Sequence, residues 1–240
     1  MSLTILIPVK NESQIIEKTI FALEKSWIKG IDHEIIFVDD FSDDDTIEKI
    51  NNLNKNLIKI KIIKNKKLGL GSAISEGINN STKDYLSIFM SDLSDSLDDL
   101  KTYFETIKNE NLDSVFGSRF IKGSKVIEYP FKKLILNRIA NNLISLFFLT
   151  NYNDFTNAFK IYRTKTLISL FPFVSESFNI FLELPLKIIS RKYSFKIIPI
   201  SWSGRTKGKS KFNIKELSSN YIFTLIYCFS EKILLKKKNK

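Results

Sequence analysis

The feature that most constrains the fold is an alternation in the first half of the chain. Short apolar runs are separated by stretches whose apolar residues recur at helical spacing. LTILIP (3–8), HEIIFV (33–38), LIKIKII (57–63), DYLSIFM (84–90) and DSVFGS (113–118) read as strands. SQIIEKTIFALEKS (13–26), DDTIEKINNL (44–53), GSAISEGINN (71–80) and LDDLKTYFETIKNE (97–110) read as helices, the first with Ser13 as its N-cap. Strands alternating with helices predict an α/β unit with a mainly parallel, doubly wound sheet flanked by helices. Such a sheet binds ligands beyond the carboxyl ends of its strands.

Those ends carry ligand-capable residues. The first strand runs into PVKNE, the second into VDDFSDDD, the fourth into MSDLSD and the fifth into GSR. Ser42 to Asp45 are the residue types that cap a following helix. Asp39 and Asp92 sit directly on the apolar run, where capping explains them less well. Asp92 and Asp95 are three apart in a turn, a spacing that lets two carboxylates converge on a hard cation. Mg2+ and Mn2+ favour oxygen ligands and share them with phosphates. His33 is the only histidine and Cys228 the only cysteine, so zinc and serine-hydrolase chemistry lack their usual parts. The single cysteine also excludes an internal disulfide framework and fits a reducing compartment. KLGLGSA (67–73) is a glycine-rich turn opening a helix, without the full dinucleotide spacing.

The second half reads differently. FKKLILNRIANNLISLFFLT (131–150) is a long amphipathic helix, with Arg138, Asn142 and Ser145 on one face and Ile135, Ile139, Leu143 and Phe147 largely elsewhere. DFTNAFKIY and FNIFLELPLKIIS (178–190) follow, then a strand FKIIPISW (195–202) and a basic loop GRTKGKSK (204–211). The chain divides into a unit over 1–212 and an amphipathic basic segment over 213–240 that ends in KKKNK. Nothing reads as a signal peptide, and no run offers the roughly 20 apolar residues of a membrane span. With 37 Lys and Arg against 26 Asp and Glu, the formal net charge is +11. That excess implies an anionic partner: nucleic acid, phospholipid headgroups or a phosphorylated substrate. The aromatic residues lie mostly inside apolar runs and not among basic ones, which argues against a nucleic-acid stacking platform.

Taken in order, PVKNE, VDDFSDDDT, GLGSAISEGI, MSDLSD, GSRF, NRIANNL, DFTNAFKIYR, ELPLK and RTKGKSK resemble the family 2 glycosyltransferases of GT-A fold. Within that family the likeness is to the dolichyl- and polyprenyl-phosphate sugar transferases, and it covers residues 5–212. The resemblance implies that Pro8, Lys10, Glu12, Val38, Asp39 and Asp40 hold the base and ribose of a GDP- or UDP-linked sugar, with Lys67, Gly69 and Ser91 completing the nucleotide-sugar contacts. Asp92 matches the second acid of the family's D-x-D motif. Met90 replaces the first, so Asp95 and Ser94 join Asp92 as candidate ligands of Mg2+ or Mn2+. Arg119, Arg138 and Asn142 match positions that hold the acceptor phosphate. Asp154 and Glu183 match acids lining the sugar side. Arg205 and Lys211 match a loop that closes over phosphates. Asp92, Asp95, Arg119 and Arg205 are the expected catalytic residues. Lys10 stands where many relatives carry Tyr, and Ala158 where Gly is usual.

The implied activity is inverting, metal-assisted transfer of mannose or glucose to a polyprenyl or dolichyl phosphate. The implied place is peripheral, on the cytoplasmic face of a membrane. The 131–150 helix would lie in the membrane interface or complete the core, and the basic C-terminal segment would associate with lipid or with a small membrane-protein partner. Other readings stay open at this point: a carbohydrate hydroxyl as acceptor, a basic nucleic-acid-binding protein, and a non-catalytic binding subunit suggested by Met90.

Overall fold

The structure is a computed structural model that describes residues 1–54, 60–204 and 214–238. Its elements are β1 (Leu3–Val9), α1 (Ile16–Lys25), a 3-10 turn (Trp27–Gly30), β2 (His33–Asp39), α2 (Thr46–Asn54), β3 (Ile60–Lys64), α3 (Leu70–Asn79), β4 (Tyr85–Ile88), α4 (Leu97–Asn109), β5 (Ser114–Ser118), β6 (Lys125–Ile127), α5 (Phe131–Phe148), β7 (Lys160–Arg163), α6 (Thr164–Ser169), α7 (Ile180–Ser190), β8 (Phe195–Pro199), β9 (Ser201–Ser203) and α8 (Ile214–Lys238).

All seven residues of β1 are buried, because helices cover both faces of the sheet. Leu3, Ile5, Ile7 and Val9 point into one core with Ile16, Ile20 and Leu23 of α1 and Leu100, Tyr103 and Phe104 of α4. Leu6 points the other way, into a second core with Ala73, Ile74 and Ile78 of α3 and the apolar side of α7. Alpha helix α3 lies close to the strand there: a Cβ on Gly77 would stand 2.1 Å from a Leu6 methyl.

The main sheet runs β3-β2-β1-β4-β7-β5-β8. Beta strands β1 to β4 are parallel, as expected, and β8 lies parallel to β5. Between β4 and β5 the chain inserts β7 antiparallel to both. This strand comes from DFTNAFKIYR, where an apolar pattern gives no sign of strand direction. The expected strand 195–202 divides at Ile200. Pro199 ends its run in the main sheet, and Ser201–Ser203 pairs with β6 in a separate two-stranded sheet. Ser13 does not cap α1. Its amide is used by Asp44, and the helix starts from the Glu12 carbonyl, which takes the Ile15 and Ile16 amides. Residues 57–59 of the expected third strand, and residues 205–211 of the basic loop, lie outside the described residues.

The two helices of interest for a surface sit side by side. The α5 helix docks through Asn141, Ile144 and Phe148. The Asn141 carboxamide takes the Phe155 amide at 2.6 Å, and its Nδ2 returns to the Asn137 carbonyl. The opposite side of α5 exposes Ile135, Leu136, Ile139, Leu143, Leu146 and Phe147. The α8 helix packs along α7 through Thr224 and Cys228, both fully buried, and exposes Ile222, Phe223 and Ile226. Among the described residues, no helix is long and apolar enough to cross a membrane.

Candidate active site

Parallel pairing brings the carboxyl ends of β1, β2 and β4 level. Val9 lies opposite Asp39, and Leu6 opposite Ile88. The chain leaves each strand through a turn with a non-glycine residue in the left-handed region: Asn11 (φ 51°), Phe41 (φ 60°) and Leu93 (φ 55°). That conformation is uncommon for bulky residues and costs of order 1–3 kcal/mol at each, so the surrounding contacts must hold it. The three turns border a cleft of about 590 Å3 lined by Pro8, Lys10, Glu12, Asp40, Gly69, Met90, Ser91 and Asp92, among others.

The β1 and β2 turns are locked together. Asp44 accepts the Ser13 amide at 3.1 Å and the Thr46 amide at 3.0 Å, and also the Thr46 hydroxyl. Burial works against its charge, but the hydrogen bonds from Ser13 and Thr46 outweigh it and bring its pKa down to about 2. Thr46 in turn takes the Glu12 amide at 2.8 Å. Asp39 accepts the Ser42 amide at 2.9 Å. Asp40 serves the glycine-rich turn: one carboxylate oxygen accepts the Gly69 amide and the Asn65 side chain, each at 2.8 Å. Gly69 has φ +134°, and a Cβ there would meet the Glu176 carbonyl at 2.4 Å, so glycine is required. Lys67 is outside the cleft in an ion pair with Glu176. Val38 is in the apolar core and offers no side-chain surface to a ligand.

Asp92 forms a tight turn by accepting the Ser94 amide at 3.1 Å. Asp95 lies behind the cleft wall, 6% exposed, where it bridges to Trp202. Burial, and then the Asp92 charge, push its carboxyl up to about 7, and its Oδ1 has no hydrogen-bond partner. Ser94 is buried too, and its carbonyl accepts the Ser203 amide. Among the described residues, no three Asp, Glu, His or Cys side chains form a metal cage. Met90, at the mouth of the same turn, is a soft donor unsuited to Mg2+ or Mn2+. The residues present therefore fit a hard cation held by Asp92 and completed by the oxygens of a bound diphosphate, an arrangement common for Mg2+.

The expected phosphate arginines are brought together at the Phe120 ring, 5.4 Å from its centre for Arg119 and 4.5 Å for Arg138. Their states differ. Arg119 is 8% exposed and gives Nε and Nη2 to the buried Asp154 at 2.9 and 2.7 Å, under Tyr129 and Trp202. Burial opposes its charge, but Asp154 outweighs this and raises its pKa. Arg138 is half-exposed and bonds the Asn153 carbonyl and Asn142. Glu183 is placed away from the cleft. It has no exposed surface, accepts the Val174 and Ser175 amides and pairs with Lys187 at 2.8 Å. Asp154 and Glu183 are thus scaffold carboxylates where the resemblance implied sugar contacts. Arg205 and Lys211 lie outside the described residues.

Sequence reasoning passed over Trp202, Lys133, Ser177 and Phe178, which also line the cleft. Trp202 had a signal, since it closes an apolar run just before the basic loop. Ser177 and Phe178 had none, because a turn between α6 and α7 brings them there.

A cleft at the carboxyl edge of a mainly parallel sheet, bordered by a glycine turn and a cation-competent acid, is where an α/β unit of this kind binds its ligand. Residues 4–171 match glycosyl transferase family 2, and the chain belongs to that family. It is 29% identical over 222 residues to a dolichol-phosphate mannosyltransferase of Pyrococcus furiosus, covering 90% of this chain and 61% of that protein. A polyprenol monophosphomannose synthase of Mycolicibacterium smegmatis is 26% identical over 62% of this chain and 59% of its own. The chain thus spans about three fifths of these relatives. In fold it is similar to glucosyl-3-phosphoglycerate synthase of Mycobacterium tuberculosis in complex with Mn2+, UDP and glucosyl-3-phosphoglycerate. The TM-score is 0.69 at 15% identity, over 95% of this chain and 80% of that one. The mainly parallel GT-A architecture is shared.

Two outcomes follow from the scaffold roles. Glu183→Ala strands Lys187 and two amides in the core, and urea denaturation should show a loss of about 3–5 kcal/mol. Wild-type stability with lost nucleotide-sugar affinity would instead put the carboxylate at a ligand. Asp44→Ala should cost about 1 kcal/mol, as for a lost helix cap. Because the folded pKa of Asp44 lies below its ordinary 3.8, its contribution is complete above that pH and fades as pH falls towards about 2. The stability gap between wild type and Asp44→Ala, measured in urea from pH 6 to pH 3, should therefore narrow at the acid end.

Proposed function

We propose that the chain transfers a hexosyl group, mannose or glucose, from a GDP- or UDP-linked sugar to a polyprenyl or dolichyl phosphate on the cytoplasmic face of a membrane. One observation carries the choice of acceptor. The first turn of α5 contributes Lys133 to the cleft, beside Pro130, while the rest of the helix turns a row of exposed apolar side chains outward. The α8 helix extends that row with Ile222, Phe223 and Ile226. A contiguous apolar surface beside a phosphate-binding cleft suits a molecule with an anionic head and a hydrocarbon tail. A carbohydrate acceptor has no use for it. The names of the relatives from Pyrococcus and Mycolicibacterium point the same way.

The residues fit the chemistry. A lipid phosphate is anionic near neutral pH and attacks the anomeric carbon without a strong general base, in keeping with a cleft that holds no histidine among its described residues. Attack opposite the leaving diphosphate inverts the anomeric centre. Glu12, Asp40, Asp92 and Glu128 line the cleft against Lys10 and Lys133, so the described lining carries more acid than base. A diphosphate entering there needs added positive charge. Mg2+ or Mn2+ on Asp92 supplies it when bound, by neutralising the leaving group. Asp92 holds the cation, Lys10 and Lys133 face the anionic groups, and the apolar wall of Pro8, Met90 and Trp202 excludes water from them.

The test is transfer of radiolabelled sugar from GDP-mannose or UDP-glucose to a short polyprenyl phosphate, with Mg2+ or Mn2+ present. Label should enter the organic phase and fall at least about 100-fold with Asp92→Ala, the scale of a lost electrostatic contact to the leaving group. Label in a water-soluble glycan, with none in lipid, would transfer the assignment to a hydroxyl acceptor.

A further inference from the structure

We propose that α8 is a working part of the donor cleft, and that Thr224 is the positioning residue through which it acts. The inference rests on reading that cleft as the nucleotide-sugar site. Ser177 and Phe178 form one wall of the cleft. They belong to the segment 174–179, which has no regular structure before α7 begins and so depends on outside contacts for its shape.

Three elements hold it. From α7, Glu183 takes the Val174 and Ser175 amides, as above. From α3, the Gly71 amide bonds the Glu176 carbonyl at 3.0 Å, and the approach is so close that a Cβ on Gly71 would sit 2.0 Å from the Ser175 carbonyl. From α8, the Thr224 hydroxyl accepts the Asn179 side-chain amide at 2.9 Å and lies 3.3 Å from the Ser175 hydroxyl, while donating to the Asn220 carbonyl. Asn179 completes the tie by accepting the Ser177 amide at 3.2 Å. Thr224, Ser175 and Asn179 are all at least 95% buried, so water does not replace a lost partner.

The consequence runs in two directions. The same segment that bears Ser177 and Phe178 backs the Gly69–Gly71 turn, which the Asp40 carboxylate anchors to β2. A shift of α8 therefore reaches both walls of the cleft. On its other side α8 exposes Ile222, Phe223 and Ile226, so one helix presents an apolar face outward and sets the donor cleft inward. The Thr224 contacts themselves end at Asn179 and Ser175 on the donor side, whereas α8 meets α5 farther along, through Phe229 on Phe147 and Phe148 and Lys232 at the Phe148 carbonyl.

That asymmetry supplies the test. Full-length wild type, Thr224→Val and Thr224→Ser are titrated with GDP-mannose and with UDP-glucose by calorimetry in the presence of Mg2+, and assayed for transfer to a short polyprenyl phosphate. Thr224→Val removes the hydroxyl at nearly constant volume. It should weaken the bound nucleotide sugar and raise its KM by about five- to tenfold, the scale of one buried hydrogen bond, leaving the KM for lipid phosphate and kcat at saturating donor unchanged. Thr224→Ser, which keeps the hydroxyl, should restore the donor KM. Should Thr224→Val fail to fold, Ser175→Ala removes a hydroxyl from the same junction and should shift donor affinity in the same sense. Unchanged donor binding in folded Thr224→Val, or loss of kcat alone, overturns the inference while leaving the transferase reading intact. No binding of either nucleotide sugar by wild type overturns both.

Discussion

The parallel pairing of β1 with β2 on one side and β4 on the other is the constraint from which the site follows. Side chains alternate along a strand, so a one-residue slip would exchange the Leu3–Ile5–Ile7 face with the Thr4–Leu6 face and expose one core to the other's helices. With the register fixed, the three strands end at one edge. The residues just beyond them, Lys10, Asp40 and Asp92, then converge without needing to be near one another in sequence. The tight turns that follow place Asn11, Phe41 and Leu93 at positive φ. Hydrogen bonds through Thr46, Asp39 and the Asp92 carboxylate hold these turns, which is how a rigid sheet delivers polar groups to a defined cleft.

The charged residues divide by burial. Arg119 with Asp154, and Lys187 with Glu183, are ion pairs shut away from water, where removing either partner leaves a charge that the interior cannot solvate. Lys160 is buried as well; burial depresses its pKa to about 7, and its ammonium is held by the Phe155 and Asn157 carbonyls. These groups shape the loops around the cleft. The groups that line it, Lys10, Glu12 and Asp92 among them, come from the strand ends. A charge that sits in a recurrent motif is therefore as well explained by loop construction as by ligand contact, and burial separates the two cases.

That separation marks what the sequence could carry. Strand and helix periods are local, and the run from LTILIP to DSVFGS foretold five strands and the helices between them. Direction is not local: β7 has the apolar pattern of any short strand and is antiparallel because the chain re-enters the sheet at the carboxyl end of β5, with Lys160 opposite Phe116. Asp92 was legible as a cleft residue because it sits at a strand end, and Asp40 and Gly69 because their motifs resemble those of the family. Asp154 and Glu183 were expected at the sugar and lie instead in buried ion pairs, because nothing in DFTNAFK or ELPLK tells whether a carboxylate faces a ligand or a cation of its own chain. Ser177 and Phe178 were invisible, since their place depends on contacts from α3, α7 and α8.

Met90 shows how the described cleft departs from a two-carboxylate metal site without losing its logic. An acid at that position would stand beside Asp92 and, behind it, Asp95, whose carboxyl is already raised by burial and by Asp92. A third negative charge in so small a space would raise the cost of ionising all three in the absence of a cation. A thioether instead adds apolar wall to the cleft and leaves Asp92 as its one carboxylate at this strand end. On the proposed function, Asp92 would be the one carboxylate to hold a cation there, and the diphosphate would supply the remaining oxygen ligands. Beside Asp92, the described lining of the cleft carries Lys10 and Lys133, and the chain as a whole has a surplus of basic residues to set against an anionic ligand.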